Sequence, residues 1–142
     1  MFIGIDLGTS AVKMILINYD QNIIATSSST LSIQNLKDGY SEQNPDEWIQ
    51  ATNNCLEDLK LKKPREFSET IAIGLSGHMH GATLIDNSGS VIRPCILWND
   101  TRSHQECLEF ENQSFDVRLI SGNITMPGFT APKINWVKNN EI

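Results

Sequence analysis

The chain is predicted to be an α/β protein with a mixed sheet: an antiparallel meander, a parallel strand added to it, and flanking helices. Three observations carry this. Three strand-like runs, Phe2–Leu7, Ala11–Asn18 and Ile23–Ser28, follow one another through tight turns. A helix with a strong start signal opens at Asn44-Pro45. A nearly all-apolar strand, Thr70–Leu75, comes after that helix, and strand–helix–strand order implies a crossover into parallel pairing.

Gly8-Thr9-Ser10 makes the first turn of the meander and Tyr19-Asp20-Gln21-Asn22 the second. Residues 30–43 are polar and irregular. Asn44 then suits an N-cap, Pro45 the first helical position, and Asp46 and Glu47 the positive end of the helix dipole. Trp48, Thr52, Cys55, Leu56 and Leu59 fall on one face. Lys60, Lys62 and Lys63 suit the negative end, and Pro64 stops the helix. Ile71, Ala72 and Ile73 read as a strand covered on both faces. It ends in Ser76-Gly77-His78-Met79-His80-Gly81. A hairpin is expected from Ala82–Asp86 through Asn87-Ser88-Gly89 to Val91-Ile92, then a short strand over 94–98. A second helix is expected over about 101–111, capped by Asn99 or Asp100. A third follows near 132–139, entered through Gly128-Phe129-Thr130.

The 142 residues suffice for one domain with a real core. At 39% hydrophobic and 20% charged they describe a soluble globular chain, and the cytoplasm is the expected compartment. No apolar run reaches membrane-span length, and Met1-Phe2-Ile3 reads as the start of a strand rather than a signal peptide. Net charge is −6, with no basic stripe, which argues against nucleic acid as a partner. Cys55, Cys95 and Cys107 show no paired spacing and are expected as reduced, buried thiols. His78 and His80 lack a nearby third ligand, so they are read as a non-metal pair.

Two regions carry chemistry. In the first turn, Gly8 allows backbone N–H groups close to an anion, Thr9 and Ser10 add hydroxyls, and Lys13 adds a charge. Asp6 ends the preceding strand and can hold a hydrated Mg²⁺ or orient water. Together they form a phosphate cradle on a hairpin, not a Walker loop. The second region comprises two loops after buried strands, over 77–81 and 98–102. Ligands bind beyond the C-terminal ends of such strands. His80 offers a hydrogen bond, Met79 a backbone contact, Trp98 a flat apolar face, and Asp100 and Arg102 an acceptor and a forked donor. That mixture suits a sugar or polyol. Blander roles stand beside each. His80 is also read as a loop histidine, Met79 and Trp98 as core, Asp100 as a helix cap, and Arg102 as the partner of a surface carboxylate. Glu106, Glu109 and Glu111 read as a solvated helix face.

These residues fall within longer blocks. Phe2-Ile3-Gly4-Ile5-Asp6-Leu7-Gly8-Thr9-Ser10, Ser41-Glu42-Gln43-Asn44-Pro45-Asp46-Glu47-Trp48, Gly77-His78-Met79-His80-Gly81-Ala82-Thr83-Leu84, Ile96-Leu97-Trp98-Asn99-Asp100-Thr101-Arg102 and Gly122 to Lys133 occur in order. In this the chain resembles the FGGY carbohydrate kinases, and within them the xylulokinase branch. The departures are His78 for a usual Gln and Ala11 for a usual Gly.

The resemblance implies a ribonuclease H-like, actin-like ATPase fold, with residues 1–142 as the N-terminal part of a first lobe and the second lobe absent. It implies ATP-dependent, Mg²⁺-assisted phosphorylation of D-xylulose at its 5-hydroxyl. Asp6, Gly8, Thr9, Ser10 and Lys13 would meet the ATP phosphates, with Asp6 holding Mg²⁺ through water. Met79 and His80 would hold the sugar, with Trp98 and Asp100 nearby. The general-base Asp would lie beyond Ile142, so this stretch alone is expected to be inactive. Apolar surface left uncovered would favour self-association. Competing expectations are another FGGY kinase, for ribulose, glycerol or gluconate, an actin-like filament or chaperone ATPase, and a non-catalytic sugar-binding module.

Overall fold

In chain order the elements are β1 (Phe2–Leu7), β2 (Ala11–Ile17), β3 (Ile23–Thr30), β4 (Glu42–Gln43), α1 (Pro45–Lys62), α2 (Pro64–Ser68), β5 (Ala72–Gly77), β6 (Cys95–Ile96), α3 (His104–Glu111), α4 (Val117–Ser121) and α5 (Thr130–Asn140). They are taken from a computed structural model, which describes residues 1–113 and 116–141. The chain forms two compact units, Met1–Ile33 with Asn44–His78, and Gln34–Gln43 with Met79–Ile142.

The first unit is built on a four-stranded sheet of order β3-β2-β1-β5. β1 and β2 pair antiparallel, with Ile5 opposite Met14 and Asp6 opposite Lys13. β1 and β5 pair parallel, with Asp6 beside Ser76. The alternation of β1 and β2 puts Ile3, Ile5, Val12, Met14 and Leu16 on one face, where they form a core with Ala51, Cys55 and Leu59 of α1. Each of the Ile, Val, Leu and Met side chains among them stabilises by roughly 1.5–3 kcal/mol. Asn44 caps α1 as expected, its side chain accepting from the Asp46 N–H at 3.0 Å. Ala51 takes the buried place on α1 that the apolar pattern assigned to Trp48, which is half-buried.

The meander and the parallel crossover follow the sequence, but β5 is not covered on both faces. Every residue of it is exposed, because β5 is the edge strand while α1 packs over β2 and β3. Within residues 1–142 its apolar side chains therefore lie at a surface.

The second unit holds α3, α4 and α5 but little sheet. β4 and β6 pair over two residues, Glu42 with Ile96 and Gln43 with Cys95. The expected hairpin reduces to single bridges, Ala82 to Ile96 and Ile85 to Val91, with a turn in which Asp86 accepts from Ser88 and Ser90. A small cluster of Ala82, Ile96 and Val137 forms its apolar centre, joined by Leu84 and Trp136. The second helix starts at His104 rather than Thr101, with Ser103 and not Asn99 or Asp100 at its N-cap. Asp100 has other partners, given below. α4 has no counterpart in the sequence reading; Asp116 caps it and Gly122 ends it in a left-handed conformation, φ +71°. The three cysteines are free and buried, as expected. Among the described residues no helix is long and apolar enough to cross a membrane.

Candidate functional site

The candidate residues fall into two groups, one in each unit. In the first unit the register places Ser76, Asp6 and Lys13 side by side on β5, β1 and β2. They line an open groove with Gly4, Ile15 and Gly74. Asp6 and Lys13 are exposed, on the sheet face opposite the core. Gly8 differs from expectation. Its N–H donates to the Ala11 carbonyl at 3.1 Å, closing the turn, and is not available to an anion. A Cβ at Gly8 would stand 3.1 Å from that same carbonyl, so any larger residue would crowd the turn. Thr9 is half-buried and Ser10 exposed at the tip. An exposed carboxylate, two hydroxyls and an ammonium are a donor set suited to a hydrated divalent cation and a phosphate chain. Sequence reasoning did not select Ser76; its only signal was its place at the end of a strand before a glycine.

His78 belongs to this unit. Its amide continues the β1–β5 ladder to the Leu7 carbonyl at 2.9 Å, and its ring meets Trp48 edge-on at 5.3 Å.

In the second unit Met79 and His80 form an exposed loop, Met79 being 58% accessible. His80 has φ +61°, a left-handed conformation that costs a non-glycine residue on the order of 1 kcal/mol. Its imidazole packs on the Phe129 ring at 4.8 Å. Its carbonyl accepts from the Thr130 hydroxyl at 3.2 Å and the Lys133 ammonium at 2.8 Å. Trp98 is 44% accessible, leaving ring surface to solvent rather than in the core. A Cβ at Gly128 would stand 2.7 Å from the Trp98 carbonyl, so this close approach admits only glycine.

Asp100 does not reach solvent. At 1% exposure it accepts from the Ser41 N–H at 2.6 Å and from the Arg102 guanidinium, with Nη2 at 2.7 Å. It is therefore neither a helix cap nor a direct sugar ligand in this conformation, because both carboxylate oxygens are taken up in holding the loop. Arg102 is likewise not a surface partner. Its side chain is buried between Asp100 and Glu42, the latter at 2.7 Å, and its guanidinium lies 3.7 Å from the Tyr40 ring centroid and 4.9 Å from that of Trp136. Burial alone would lower the Arg102 pKa. The hydrogen bonds and charges of Asp100 and Glu42 outweigh it and raise the value. Glu42 also pairs with Arg93, which reaches Glu141 at 2.7 Å. The carboxylates of α3 are not uniformly solvated. Glu106 is buried, and Glu111 is held below its ordinary pKa by the Thr125 backbone N–H, which donates to it at 3.0 Å, and by Arg118.

The whole of residues 1–142 matches the model of the FGGY family of carbohydrate kinases, N-terminal domain. The chain belongs to that family. It is 45% identical over 141 residues to a xylulose kinase of Escherichia coli and 43% identical over 140 to one of Bacillus subtilis, which cover 99% and 98% of this chain. A crystal structure of a xylulose kinase from Brucella ovis superposes with a TM-score of 0.92 at 50% identity, covering 98% of this chain and 29% of that one. The expected actin-like ATPase fold of the sugar kinases is thereby shown. The chain spans 29% of the E. coli relative and 28% of the B. subtilis one.

Proposed function

We propose that this chain is the N-terminal part of the first lobe of a kinase that transfers the γ-phosphoryl group of ATP to the 5-hydroxyl of D-xylulose. The observation that carries the reading is the exposed Met79–His80 loop, its His80 held by Phe129, Thr130 and Lys133, in a chain 45% identical to a xylulose kinase. Mg-ATP supplies the phosphoryl donor, with the metal neutralising charge on the phosphates. Asp6 would orient water on that metal, Lys13 would meet phosphate charge, and Thr9 and Ser10 would donate hydroxyl hydrogen bonds at the turn whose shape Gly8 sets. His80 and the Met79 backbone would bond sugar hydroxyls, Trp98 would cover the sugar's C–H surface, and Asp100 would act through the loop it anchors. In the transfer, the 5-hydroxyl oxygen forms the new P–O bond while the bond to ADP breaks. The hydroxyl proton goes to a carboxylate base outside residues 1–142, so residues 1–142 alone give no turnover. The compartment that fits such an enzyme is the cytoplasm. The exposed stripe of Ile71, Ile73 and Leu75 supports self-association of residues 1–142, read by light scattering across concentration.

ADP release by the full-length protein with Mg-ATP and D-xylulose, D-ribulose, L-ribulose or glycerol tests the reading, with residues 1–142 run beside it. Turnover with D-xylulose in the full-length protein alone is expected. Preference for another substrate would keep the family and overturn the sugar. Turnover by residues 1–142 would overturn the assignment of the base. Asp6→Asn should reduce turnover by about 10–100-fold, the usual cost of losing a group that orients a metal's ligand.

A further inference from the structure

Lys133 heads the fully buried side chains by size, at 0% exposure. Among the described residues no carboxylate is in ion-pair contact with it. Its ammonium donates instead to two backbone carbonyls, that of His80 at 2.8 Å and that of Gly128 at 2.7 Å. Burying an ammonium without a counter-ion is costly, and a Met or Leu of similar volume would fill the space without that penalty. What neither could do is hold the carbonyl of a residue in a left-handed conformation. The same short stretch supplies the rest of the grip: the Thr130 hydroxyl on the same carbonyl and the Phe129 ring on the His80 imidazole. A strained backbone persists only where its surroundings over-determine it, and here three contacts from Phe129, Thr130 and Lys133 do so. Desolvation by burial, the largest influence on Lys133, lowers its pKa to about 8, against the pull of the Asp100 charge.

We propose that Lys133 is a positioning residue for sugar recognition, which with Thr130 and Phe129 fixes the backbone of His80 so that the Met79–His80 loop meets its substrate in one preset geometry. This rests on the reading of that loop as the sugar site. The test uses Lys133→Met, Lys133→Arg and Thr130→Val in the full-length protein. Lys133→Met should raise the KM for the sugar by about tenfold or more, as small misplacements of a binding group do. The KM for ATP and the melting temperature should not worsen, and Lys133→Arg should recover part of the loss. An unchanged sugar KM would overturn the proposal. So would a parallel rise in both KM values with a lower melting temperature, which is the mark of a merely structural role. The imidazole ¹H–¹⁵N resonances of His80 report its position without turnover. They should move in Lys133→Met and, to a lesser extent, in Thr130→Val. If the wild-type protein phosphorylates no sugar in the panel, the sugar reading fails, and these resonances decide the positioning role alone: unmoved, they overturn it.

Discussion

In the unit formed by 1–33 and 44–78, the side chains most completely buried are Val12, Met14, Leu16, Cys55 and Leu59; in the unit formed by 34–43 and 79–142, they include Asp100, Lys133, Ile96 and Leu97, with the Arg102 side chain beside Asp100. The first is cohesive through area removed from water, which depends on volume and period and little on identity. The second is cohesive through charged groups that have lost their hydration and depend on named partners. The difference teaches where each unit is vulnerable. A sheet and helix tolerate one imperfect residue. A desolvated ion network does not tolerate one missing partner.

The sharpest way to break that contrast is Arg102→Met. It removes the one guanidinium that bonds both Asp100 and Glu42, leaving Asp100 and part of the Glu42 charge uncompensated in a buried place. Breaking a buried pair in this manner costs about 3–5 kcal/mol. Hydrogen exchange resolved by segment should show protection lost across 34–43 and 79–142. Leu16→Met, at an equally buried position of β2, should cost less than about 1.5 kcal/mol. Equal costs for the two substitutions would dissolve the comparison.

A smaller effect, of distinctive sign, comes from Lys133. Its pKa is about 8 in the folded protein against an ordinary 10.5, so the unfolded chain holds the proton more tightly. Between those values the unfolded state binds more protons, and stability from this group rises with pH. The stabilisation is complete above 10.5 and is lost as pH falls through about 8. At roughly 1.36 kcal/mol per unit the full span is worth about 3 kcal/mol. The ionisable groups that act on Lys133 are Asp100, Arg102 and the Cys95 thiol. Burial raises the pKa of Cys95 and Cys107, which gives a slope of the opposite sign in the same range. The quantity to measure is therefore the difference in urea stability between wild type and Lys133→Met as pH is raised from 7 to 10. It should shift in favour of wild type. A pH-independent difference would mean that the ammonium is not desolvated.

The same contrast decides what could be read in the sequence. The meander, the Asn44 cap and the parallel crossover are local or periodic, and the residues that make them lie close together in the chain. The Asp100 and Glu42 partnerships are not periodic. Ser41 and Asp100 are 59 residues apart, and nothing in the Asn99-Asp100-Thr101-Arg102 run distinguishes a helix cap from an inward-turned pair. From sequence Asp100 therefore reads as a sugar acceptor or a helix cap, and Lys133 carries no role of its own. The exposure of β5 within residues 1–142 is illegible for a related reason: an apolar strand has the same composition whether or not something covers it, and only the strand order shows an edge. Among the candidate residues, Asp6 at a strand end and Ser10, Met79 and His80 in loops are exposed, as their types and positions suggest, whereas the groups that hold His80 leave no such signal.

The smallest expected effect concerns the feature the sequence announced most plainly. The Asn44 side chain accepts from the Asp46 N–H at 3.0 Å, one of the amide groups at the start of α1 that no helical carbonyl can satisfy. Asn44→Ala removes that acceptor and should cost about 1 kcal/mol, while Asn44→Asp, which restores an acceptor and adds favourable charge at the dipole's positive end, should cost nothing measurable. The loss should appear as faster exchange over the first turn of α1, with Val12 and Leu59 still protected, since the core beneath the helix does not rely on the cap. If Asn44→Ala instead loosened the whole unit, α1 would be held by its end rather than by its buried face. The distinction between a unit cohesive through area and one cohesive through particular partners would then fail on the side where it is stated most simply.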